Sequence, residues 1–419
     1  MSIGQISCSK EVASEHTSSP LFHTDKANVT QLLKMNKILI RLVILSTFGV
    51  LSQTAWNNIP EDATMTFTQL ANKYGYKAEE HDVVSGGGYI LTLFHIPGDR
   101  HRPVLLIHGA LDSADSFIMR GNTSLVIALA RDKYDVWVMN YRGNKYARRH
   151  TTLDPDSNNE FWDFSLQEIG YYDIPANIDY VLKKTGEERL RDCVYVSSWS
   201  HTAQYNDKIK IFISLAPVCF LQNTKPLMSI VLNLAPLLNV ALESINTNEL
   251  FGQNTTLRAL LNEVCSPKVG YEVCLVNGLF HLTGADGNEI EPEYYPVVLG
   301  HFPAGTSRKN LNHFVQISSS GKFRDYDYGM LKNMEKYKRL TPPKYDLSKV
   351  TMKVALIAAK NDKISTLEDV ELIRKELPNV VDYTVMKSDL FNHVDYIWGR
   401  TAYKTLFPHI FRLLNKYNK

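Results

Sequence analysis

The sequence lacks a strong excess of charge of either sign. It has 46 Lys and Arg residues against 44 Asp and Glu residues, a net charge of +2, and neither sign is concentrated in a long run. A surface that binds nucleic acid needs clustered Lys and Arg side chains. We therefore expect no nucleic acid partner.

Two sequence signatures of cofactor-dependent enzymes are also absent. None of the 13 histidines belongs to an HExxH motif, which would indicate a zinc hydrolase. The glycines at 86–88 precede an apolar strand instead of following one, so they indicate a turn and not a dinucleotide-binding loop. We expect neither a metal ion nor an organic cofactor.

Cysteine is scarce, with five residues in 419. Cys265 and Cys274 flank a short polar stretch with a proline and a glycine, which would let the two thiols meet in an oxidising compartment. Cys193 and Cys219 lie in apolar strand contexts, where buried and unreactive thiols are the simpler interpretation. Cys8 lies close to the N-terminus.

No uninterrupted apolar run of membrane-spanning length is present near the N-terminus. Residues 35–55 instead combine a basic start at Lys37 with a short apolar core and a small-residue exit at Ala55, which predicts a signal peptide. A membrane anchor is the alternative, although the run is short of about 20 residues and contains Arg41. Residues 1–34 are polar and without pattern, so we expect a disordered extension and a working start at Met35.

Short apolar runs that alternate with helical stretches predict an α/β fold with a covered, mostly parallel central sheet. The predicted strands lie at 89–96, 103–109, 134–140, 193–197, 209–217 and 352–359. Between 219 and 322 the pattern changes to Leu-rich helices and loops, which indicates an inserted helical cap or lid. The expected organisation is a core of 56–218 and 323–419, interrupted by that insertion.

The residues that follow these strands are candidates for chemistry, because active sites of open parallel sheets lie at the carboxyl ends of the strands. After the second strand, Gly109 allows close approach of a ligand, and the N–H of Ala110 or Leu111 could face an oxyanion. Asp362 follows the last strand, and His393 lies in a loop near the C-terminus. An acid and then a histidine in this order are typical of the two supporting members of an α/β-hydrolase triad.

From about residue 56 onwards the chain resembles the acid lipase family, the gastric and lysosomal type. The similarity lies in "GYILTLFHIPG", "LIHGALDSADSFI", "YDVWVMNYRGNKYARRH", "FWDFSLQEIGYYDIPANIDYVLKKTG", "HFPAGTSRKNLNHFVQ", "NDKISTLEDVELI" and "FNHVDYIWG". The resemblance implies an α/β-hydrolase fold, with Asp362 and His393 as catalytic acid and base and a cap disulfide between Cys265 and Cys274. It also implies triacylglycerol or steryl ester substrates and contact with a lipid–water interface.

The chain departs from that family where the nucleophile is expected. Family members carry a GxSxG turn and a long helix after the strand equivalent to "CVYV", whereas residues 197–207 read "SSWSHTAQYND" and contain no glycine. Alignment on the central serine makes Ser200 the candidate nucleophile and the His201 N–H the second oxyanion donor; Ser197 and Ser198 fit nearly as well. About a dozen residues join the two strands, close to the minimum for a parallel crossover.

Three explanations of this departure are open. The chain is a lipase that uses an altered turn around Ser200, or a noncatalytic relative that binds or carries lipid, or the product of a sequence from which a segment has been lost. The last explanation fits the return of the family pattern at "YNDKIKIFISLAPV". The signal peptide and the two sequons at Asn122 and Asn254 favour a secreted or lysosomal glycoprotein.

Overall fold

The computed structural model describes residues 59–195, 203–266 and 270–417. The predicted extension at 1–34 and the predicted signal peptide at 35–55 lie outside the described residues, as do the first residues of the expected core. The predicted core of 59–218 and 323–417 can therefore be compared with the structure, apart from the gap at 196–202.

The described residues form one large sheet and one small one. The nine strands of the large sheet are β1 (Glu79–Val84), β2 (Tyr89–Ile96), β3 (Asp99–Ile107), β4 (Tyr134–Val138), β5 (Arg149–His150), β6 (Leu190–Tyr195), β7 (Ile209–Leu215), β10 (Lys353–Ala358) and β11 (Val380–Val385). The small sheet pairs β8 (Glu249–Leu250) with β9 (Thr306–Ser307). All six predicted strands are found in the large sheet, with ends that differ by a few residues where the structure describes them, whereas β1, β5, β11 and both strands of the small sheet were not predicted.

The strand order of the large sheet is β1-β2-β4-β3-β6-β7-β10-β11, with β5 beside β2. The pairs from β4 through β3, β6, β7 and β10 to β11 are parallel, whereas the pairs of β2 with β1, β4 and β5 are antiparallel. β4 is buried along its whole length and β3 along its last five residues, as expected for strands covered on both faces. The fold is the predicted α/β-hydrolase fold with a mostly parallel sheet.

Helices account for most of the remaining described chain. They are α1 (Phe67–Lys73), α2 (Leu125–Arg131), α3 (Leu166–Glu168), α4 (Ile174–Thr185), α5 (Pro226–Ser244), α6 (Thr256–Val264), α7 (Phe280–Thr283), α8 (Tyr295–His301), α9 (Arg308–Ser320), α10 (Met330–Tyr337), α11 (Leu367–Glu376), α12 (Asp395–Trp398), α13 (Ala402–Thr405) and α14 (Phe407–Tyr417). Several helices begin with a side-chain cap. At the start of α11, for example, the Thr366 hydroxyl accepts a hydrogen bond from the N–H of Asp369. Gly186 ends α4 in the left-handed conformation.

The sheet separates two apolar cores. On one face, β-strand side chains such as Val136 and Ile213 pack with residues of α2 and α14. On the other face, Leu105 and Leu356 pack with residues of α4 and α11. The alternation of inward positions along each strand produces this division, since successive side chains point to opposite faces.

Between β7 and β10 the chain leaves the large sheet and forms α5 to α10 together with the small sheet. A disulfide bond joins Cys265, just after α6, to Cys274, in a π-helical segment at Tyr271–Leu279. This is the pairing that the family resemblance implies. Gly270 lies so close to the Cys265 carbonyl that a Cβ there would approach its oxygen to 2.2 Å, so a larger residue would displace this turn.

Candidate active site

Three loops that the sequence predicts to be functional follow the carboxyl ends of neighbouring strands. β3, β6, β7 and β10 are parallel neighbours, and their last residues pair in register, with Ile107 opposite Tyr195 and Tyr195 opposite Ser214. The loops after β3, β6 and β10 therefore start within a few strand spacings of about 4.8 Å from one another. This is the edge at which parallel sheets carry their active sites.

Asp362 and His393 are in contact at this edge. The His393 Nδ1 atom lies 2.9 Å from Asp362 Oδ2, and the Asp362 side chain is fully buried while His393 retains 20% exposure. The other carboxylate oxygen accepts the backbone N–H groups of Ile364 and Ser365 at 2.9 and 2.7 Å. Because a carboxylate oxygen accepts hydrogen bonds, Nδ1 carries the ring hydrogen and donates a hydrogen bond to Asp362 Oδ2. The Nε2 lone pair of the neutral ring is then available to remove a proton from a nucleophile.

The segment between β7 and β10 supports this pair from the outside. The Thr283 carbonyl at the end of α7 accepts the N–H of His393 and the N–H of Lys363, each at 3.3 Å. Gly284 follows with φ +111°, and a Cβ there would lie 2.0 Å from the Asn361 carbonyl oxygen. The glycine therefore allows the inserted chain to press against the loop that carries Asp362. Sequence reasoning missed Gly284, although its position before the acidic stretch at 286 could have marked it.

A buried carboxylic acid stabilises the histidine loop. Asp395 Oδ2 accepts the N–H of Asn392 at 2.9 Å, and the Asn392 side-chain oxygen accepts the N–H of Val394 at 2.9 Å. Burial raises the pKa of Asp395 to about 8, since the low-polarity surroundings disfavour the carboxylate. The hydrogen bond from Asn392 opposes this increase only in part.

The loop after β3 carries Ala110 and Leu111, the predicted oxyanion donors. Leu111 adopts φ +64°, a conformation that branched and bulky residues seldom adopt, and its carbonyl accepts the Ala304 N–H at 2.7 Å. The N–H groups of Ala110 and Leu111 donate no hydrogen bond to another described residue. Their role as oxyanion donors stays a prediction.

His108 holds the start of this loop as a neutral imidazole. Its Nε2 atom accepts the N–H of Tyr141 at 3.2 Å and lies 3.2 Å from the Asn144 amide nitrogen, while Nδ1 lies 2.8 Å from the Gly109 carbonyl oxygen. These partners assign the proton to Nδ1. Burial lowers the pKa of His108 to about 4, so the ring stays uncharged at neutral pH.

A buried ionic cluster ties the same loop to α8. Asp115 accepts the Tyr146 hydroxyl at 2.8 Å and contacts Lys145 and, at 2.7 Å, His301 Nδ1. Burial alone would raise the pKa of Asp115, but the positive charge of Lys145 and the bond from His301 outweigh it and hold the pKa at about 2. Sequence reasoning did not identify this cluster, because its members are brought together only by the packing of α8 against the loop.

The remaining predicted site residues have different outcomes. Ser200, the nucleophile candidate, and His201, the second oxyanion candidate, lie outside the described residues, as do Ser197 and Ser198. The part of the β6–β7 connection that is described is a six-residue 3₁₀ helix at Ala203–Lys208. Asn122 and Asn254 are both exposed, as glycosylation requires, and their modification stays a prediction.

Comparisons with known proteins agree with this geometry. Residues 67–121 match the family described as a partial alpha/beta-hydrolase lipase region, and residues 102–191 match the alpha/beta hydrolase fold. Lipase 1 of Drosophila melanogaster is 37% identical over 371 residues, which cover 86% of this chain and 82% of that protein. Gastric triacylglycerol lipase of Bos taurus is 33% identical over 371 residues, covering 84% and 92% respectively.

Solved structures support the fold independently of close sequence similarity. A lipase crystal structure from Acinetobacter baumannii AYE superposes with a TM-score of 0.51 at 13% identity, covering 84% of this chain and 94% of that one. Monoglyceride lipase of Saccharomyces cerevisiae gives the same TM-score at 14% identity, covering 86% and 99%. With curated relatives above 30% identity over most of both chains, this protein belongs to the gastric and acid lipase family of α/β-hydrolases.

Proposed function

We propose that the protein hydrolyses neutral lipid esters by acyl transfer through a Ser-His-Asp triad. His393 acts as general base and then as general acid, and Asp362 orients its ring and offsets the imidazolium charge. Backbone N–H groups near Ala110 and His201 stabilise the oxyanion, and Ser200 is the attacking residue. The contact of 2.9 Å between His393 and Asp362 at the carboxyl edge is the observation that carries this proposal.

Triacylglycerols or steryl esters are the proposed substrates. Four of the relatives are named gastric triacylglycerol lipases, from Bos taurus, Mus musculus, Homo sapiens and Rattus norvegicus. The segment at 219–322 would act as the cap that encloses the acyl chains, since it contributes Thr283 and Gly284 to the edge of the site. No metal or organic cofactor takes part in this reaction.

Helix α5 is the proposed contact with the lipid–water interface. None of its residues is buried, and the exposed apolar side chains recur at helical spacing: Leu227, Ile230, Val231, Leu234, Leu237 and Leu238. The helix has 19 residues and a mean hydropathy of 1.5, which by length and composition alone would suffice to cross a membrane. An exposed apolar surface of this kind favours insertion of one helix face into a lipid surface.

An exported protein is the proposed state of the working chain, either secreted or lysosomal. The disulfide bond between Cys265 and Cys274 supports an oxidising compartment, and the exposed sequons at Asn122 and Asn254 are accessible for glycosylation. The free thiol of Cys219 is buried, and burial raises its pKa, so it would not interfere with pairing of the other two cysteines.

A noncatalytic lipid-binding protein is the second candidate function. It is favoured by the absence of glycine from 197–207, because the strained turn of a nucleophile elbow leaves little space for side chains beside the serine. On this alternative the same cap and α5 would bind lipid esters without cleaving them.

A lost coding segment in the β6–β7 connection is the third explanation. A right-handed crossover from β6 to β7 would place its helix on the sheet face that carries α4 and α11. An apolar cavity of about 30 Å³ lies on that face, lined among others by Phe212, Cys219, Val354, Leu356 and Ile373. A cavity of this size has room for about one water molecule, so the support for this explanation is the return of the family pattern at 205–218 and not this gap.

Reading the messenger RNA across the codons for 196–206 separates the third explanation from the other two. Additional coding sequence with a GxSxG motif would show that the working enzyme carries the full nucleophile turn. An uninterrupted transcript would eliminate that explanation.

Ester hydrolysis and lipid binding by the chain with its printed sequence then separate the first two. Hydrolysis of a triacylglycerol emulsion that is lost in Ser200→Ala and His393→Ala, but not in Ser198→Ala, would establish the triad with Ser200. Binding of a fluorescent triacylglycerol without hydrolysis in any form would establish the carrier function.

A further inference from the structure

Two histidines and a glutamate share one face of the sheet at the edge formed by β1 and β2. These strands pair antiparallel, with Glu79 directly opposite His95 and His81 two residues further along β1. Residues two apart in a strand point to the same side, and so do directly opposed residues. Four strands, β4, β3, β6 and β7, separate β2 from β10 and its Asp362. The cluster is therefore distinct from the candidate active site.

The potential ligand atoms of these residues face one another. Glu79 Oε2 lies 3.4 Å from His81 Nε2 and 3.4 Å from His95 Nδ1, and all three atoms lie within 4.8 Å of one another. The His81 Nε2 atom is fully buried and makes no hydrogen bond among the described residues. The His81 and His95 side chains are only 16% and 12% exposed, whereas Glu79 is 44% exposed.

The other nitrogen of each ring is engaged by a partner that orients it. His95 Nε2 lies 2.7 Å from Asp135 Oδ1, and this carboxylate also accepts the Trp137 indole N–H and the Gly98 N–H. The carboxylate assigns the His95 proton to Nε2, so in the neutral ring the Nδ1 lone pair faces Glu79. His81 Nδ1 lies 3.2 Å from the Tyr180 hydroxyl oxygen, which can accept a hydrogen bond from Nδ1–H. The Nε2 lone pair of His81 is then directed at Glu79.

We propose that Glu79, His81 and His95 bind a divalent transition-metal ion, of which Zn²⁺ suits the donor set best. Two imidazoles and one carboxylate form a donor set that zinc accepts, and the exposed glutamate leaves a fourth position for water. Ligand atoms about 2.0–2.1 Å from a tetrahedral metal are roughly 3.3 Å apart, which agrees with the separations of both histidine nitrogens from Glu79.

The arrangement around the ligands matches that of established metal sites. Metal-bound histidines commonly donate their second N–H to a carboxylate, which fixes the ring and increases its basicity. Asp135 provides this contact for His95, and the His95 ring also stacks on Trp137 with ring centroids 3.7 Å apart. A metal here would fasten the edge strand β1 to β2, since its ligands come from both strands.

The proposal differs from the expectation of a metal-free protein. The ligands follow the spacing Glu-x-His with the second histidine 14 residues later, which is not a recognised metal motif. Without a metal ion, His95 would need a hydrogen on both ring nitrogens to donate hydrogen bonds to Glu79 and to Asp135. The experiment must therefore distinguish metal binding from an ion pair.

Zinc binding by the tag-free full chain tests the proposal. Protein treated with a chelator is titrated with Zn²⁺ and dialysed, and Co²⁺ is added to a second sample to record its visible absorption. We expect one equivalent of tightly bound Zn²⁺, the intense absorption of four-coordinate Co²⁺, and a higher thermal unfolding temperature in the presence of Zn²⁺. Asp135→Asn should weaken Zn²⁺ binding by roughly 10–100-fold.

Glu79→Gln and His81→Gln are the deciding variants, and His101→Gln is the matched control. His101 pairs with Glu187 at 2.6 Å on the protein surface and belongs to no group of three potential ligands in the part of the chain that the structure describes. We expect the first two variants to lose the bound equivalent and the Co²⁺ absorption, while the control retains both. Glu79 is on the exposed edge, so its variant should fold. Wild-type protein without bound Zn²⁺ after dialysis, or unchanged binding in Glu79→Gln and His81→Gln, would overturn the proposal.

Discussion

His393 depends on Asp362 for its tautomer as well as for its position. Asp362 Oδ1 is occupied by the N–H groups of Ile364 and Ser365, which leaves Oδ2 for the ring. The assignment of the two oxygens follows from the backbone turn after β10. If an NH₂ group replaced Oδ2 of Asp362, the side chain at 362 would donate the hydrogen bond to His393 instead of accepting it.

Asp362→Asn is expected to move the proton of the neutral His393 ring from Nδ1 to Nε2. The asparagine oxygen would remain with the two backbone N–H groups, so its NH₂ group would face the ring and require an acceptor. ¹⁵N NMR of labelled histidine measures the tautomer. His313, whose Nε2 lies 2.8 Å from the Arg324 carbonyl oxygen, is the internal control. Retention of the Nδ1 proton in the variant would contradict the assignment.

Arg142 and Asp173 form a buried ion pair. Arg142 donates to Asp173 Oδ1 at 2.7 Å with exposures of 3% and 0%, and its guanidinium lies 4.0 Å from the Tyr89 ring centre. Arg142→Met should lower the free energy of unfolding by about 3–5 kcal/mol, because it leaves a buried carboxylate without its partner.

Urea unfolding of the single and double variants measures this effect. Arg142→Met combined with Asp173→Leu should recover much of the lost stability, since the uncompensated charge is removed. A single variant within about 1 kcal/mol of wild type would show that the pair is not the main support of this region.

Among the secondary-structure elements, helix α5 exposes several large apolar side chains to solvent. Leu234 and Leu237 are 60% and 72% exposed, although α5 also packs on α9 and accepts a bond from Arg308 to Asn239 at 2.7 Å. Arg308 also pairs with Glu243 of the same helix at 3.6 Å, so α5 is tied to α9 by one arginine while its exposed apolar surface has no partner among the described residues.

A Leu234→Gln, Leu237→Gln double variant should bind phospholipid vesicles about tenfold or more weakly than wild type. The two substitutions remove the free energy that two leucines gain when about half of each side chain enters the lipid, roughly 1 kcal/mol each. Vesicle co-sedimentation measures the partitioning, and Val84→Gln, at an exposed apolar residue of β1, is the control. Equal partitioning of the double variant and wild type would eliminate α5 as the interface.

At the scale of the whole molecule, several buried acids make stability depend on pH. Burial raises the pKa of Asp112 and of Asp325 to about 7 and that of Asp395 to about 8. An unfolded aspartate titrates near pH 3.9, so above that pH the folded state holds protons that the unfolded state has released. Stability from these groups is complete at low pH and is lost as pH rises through 7 to 8.

The buried histidines act in the opposite direction over a lower range. Burial lowers the pKa of His108 and of His313 to about 4, below the value of about 6.5 in the unfolded chain. Their contribution falls as pH decreases from 6.5 to 4, because the unfolded histidines then bind protons that the folded ones exclude. Above pH 6.5 the aspartates dominate.

Between pH 6.5 and 8 the free energy of unfolding should therefore decrease. Each proton difference contributes at most about 1.4 kcal/mol per pH unit, and Asp395→Asn should remove up to that much of the slope. Urea unfolding at three pH values measures the slope, with Asp389→Asn as a control at an exposed carboxylate paired with Lys360. A slope that is the same in Asp395→Asn and wild type would contradict the prediction.

Local patterns in the sequence were sufficient for much of the core. The central strands were predictable because apolar residues buried on both faces of a parallel sheet form continuous runs, as in β3 and β4. The edge strand β1 was not predicted, since "EEHDVV" is polar and alternates in burial. β11 is only partly buried, and its sequence gives no comparable apolar run.

The sequence by itself determined the family, the predicted α/β fold, the candidate acid and base, and the absence of glycine from the segment after β6. These features depend on residue type and order along the chain. The contact of Asp362 with His393, the support from Thr283 and Gly284, and the convergence of Glu79, His81 and His95 became visible in the folded chain. Such contacts join residues distant in sequence, and strand pairing and packing bring them together through backbone geometry that no local pattern specifies.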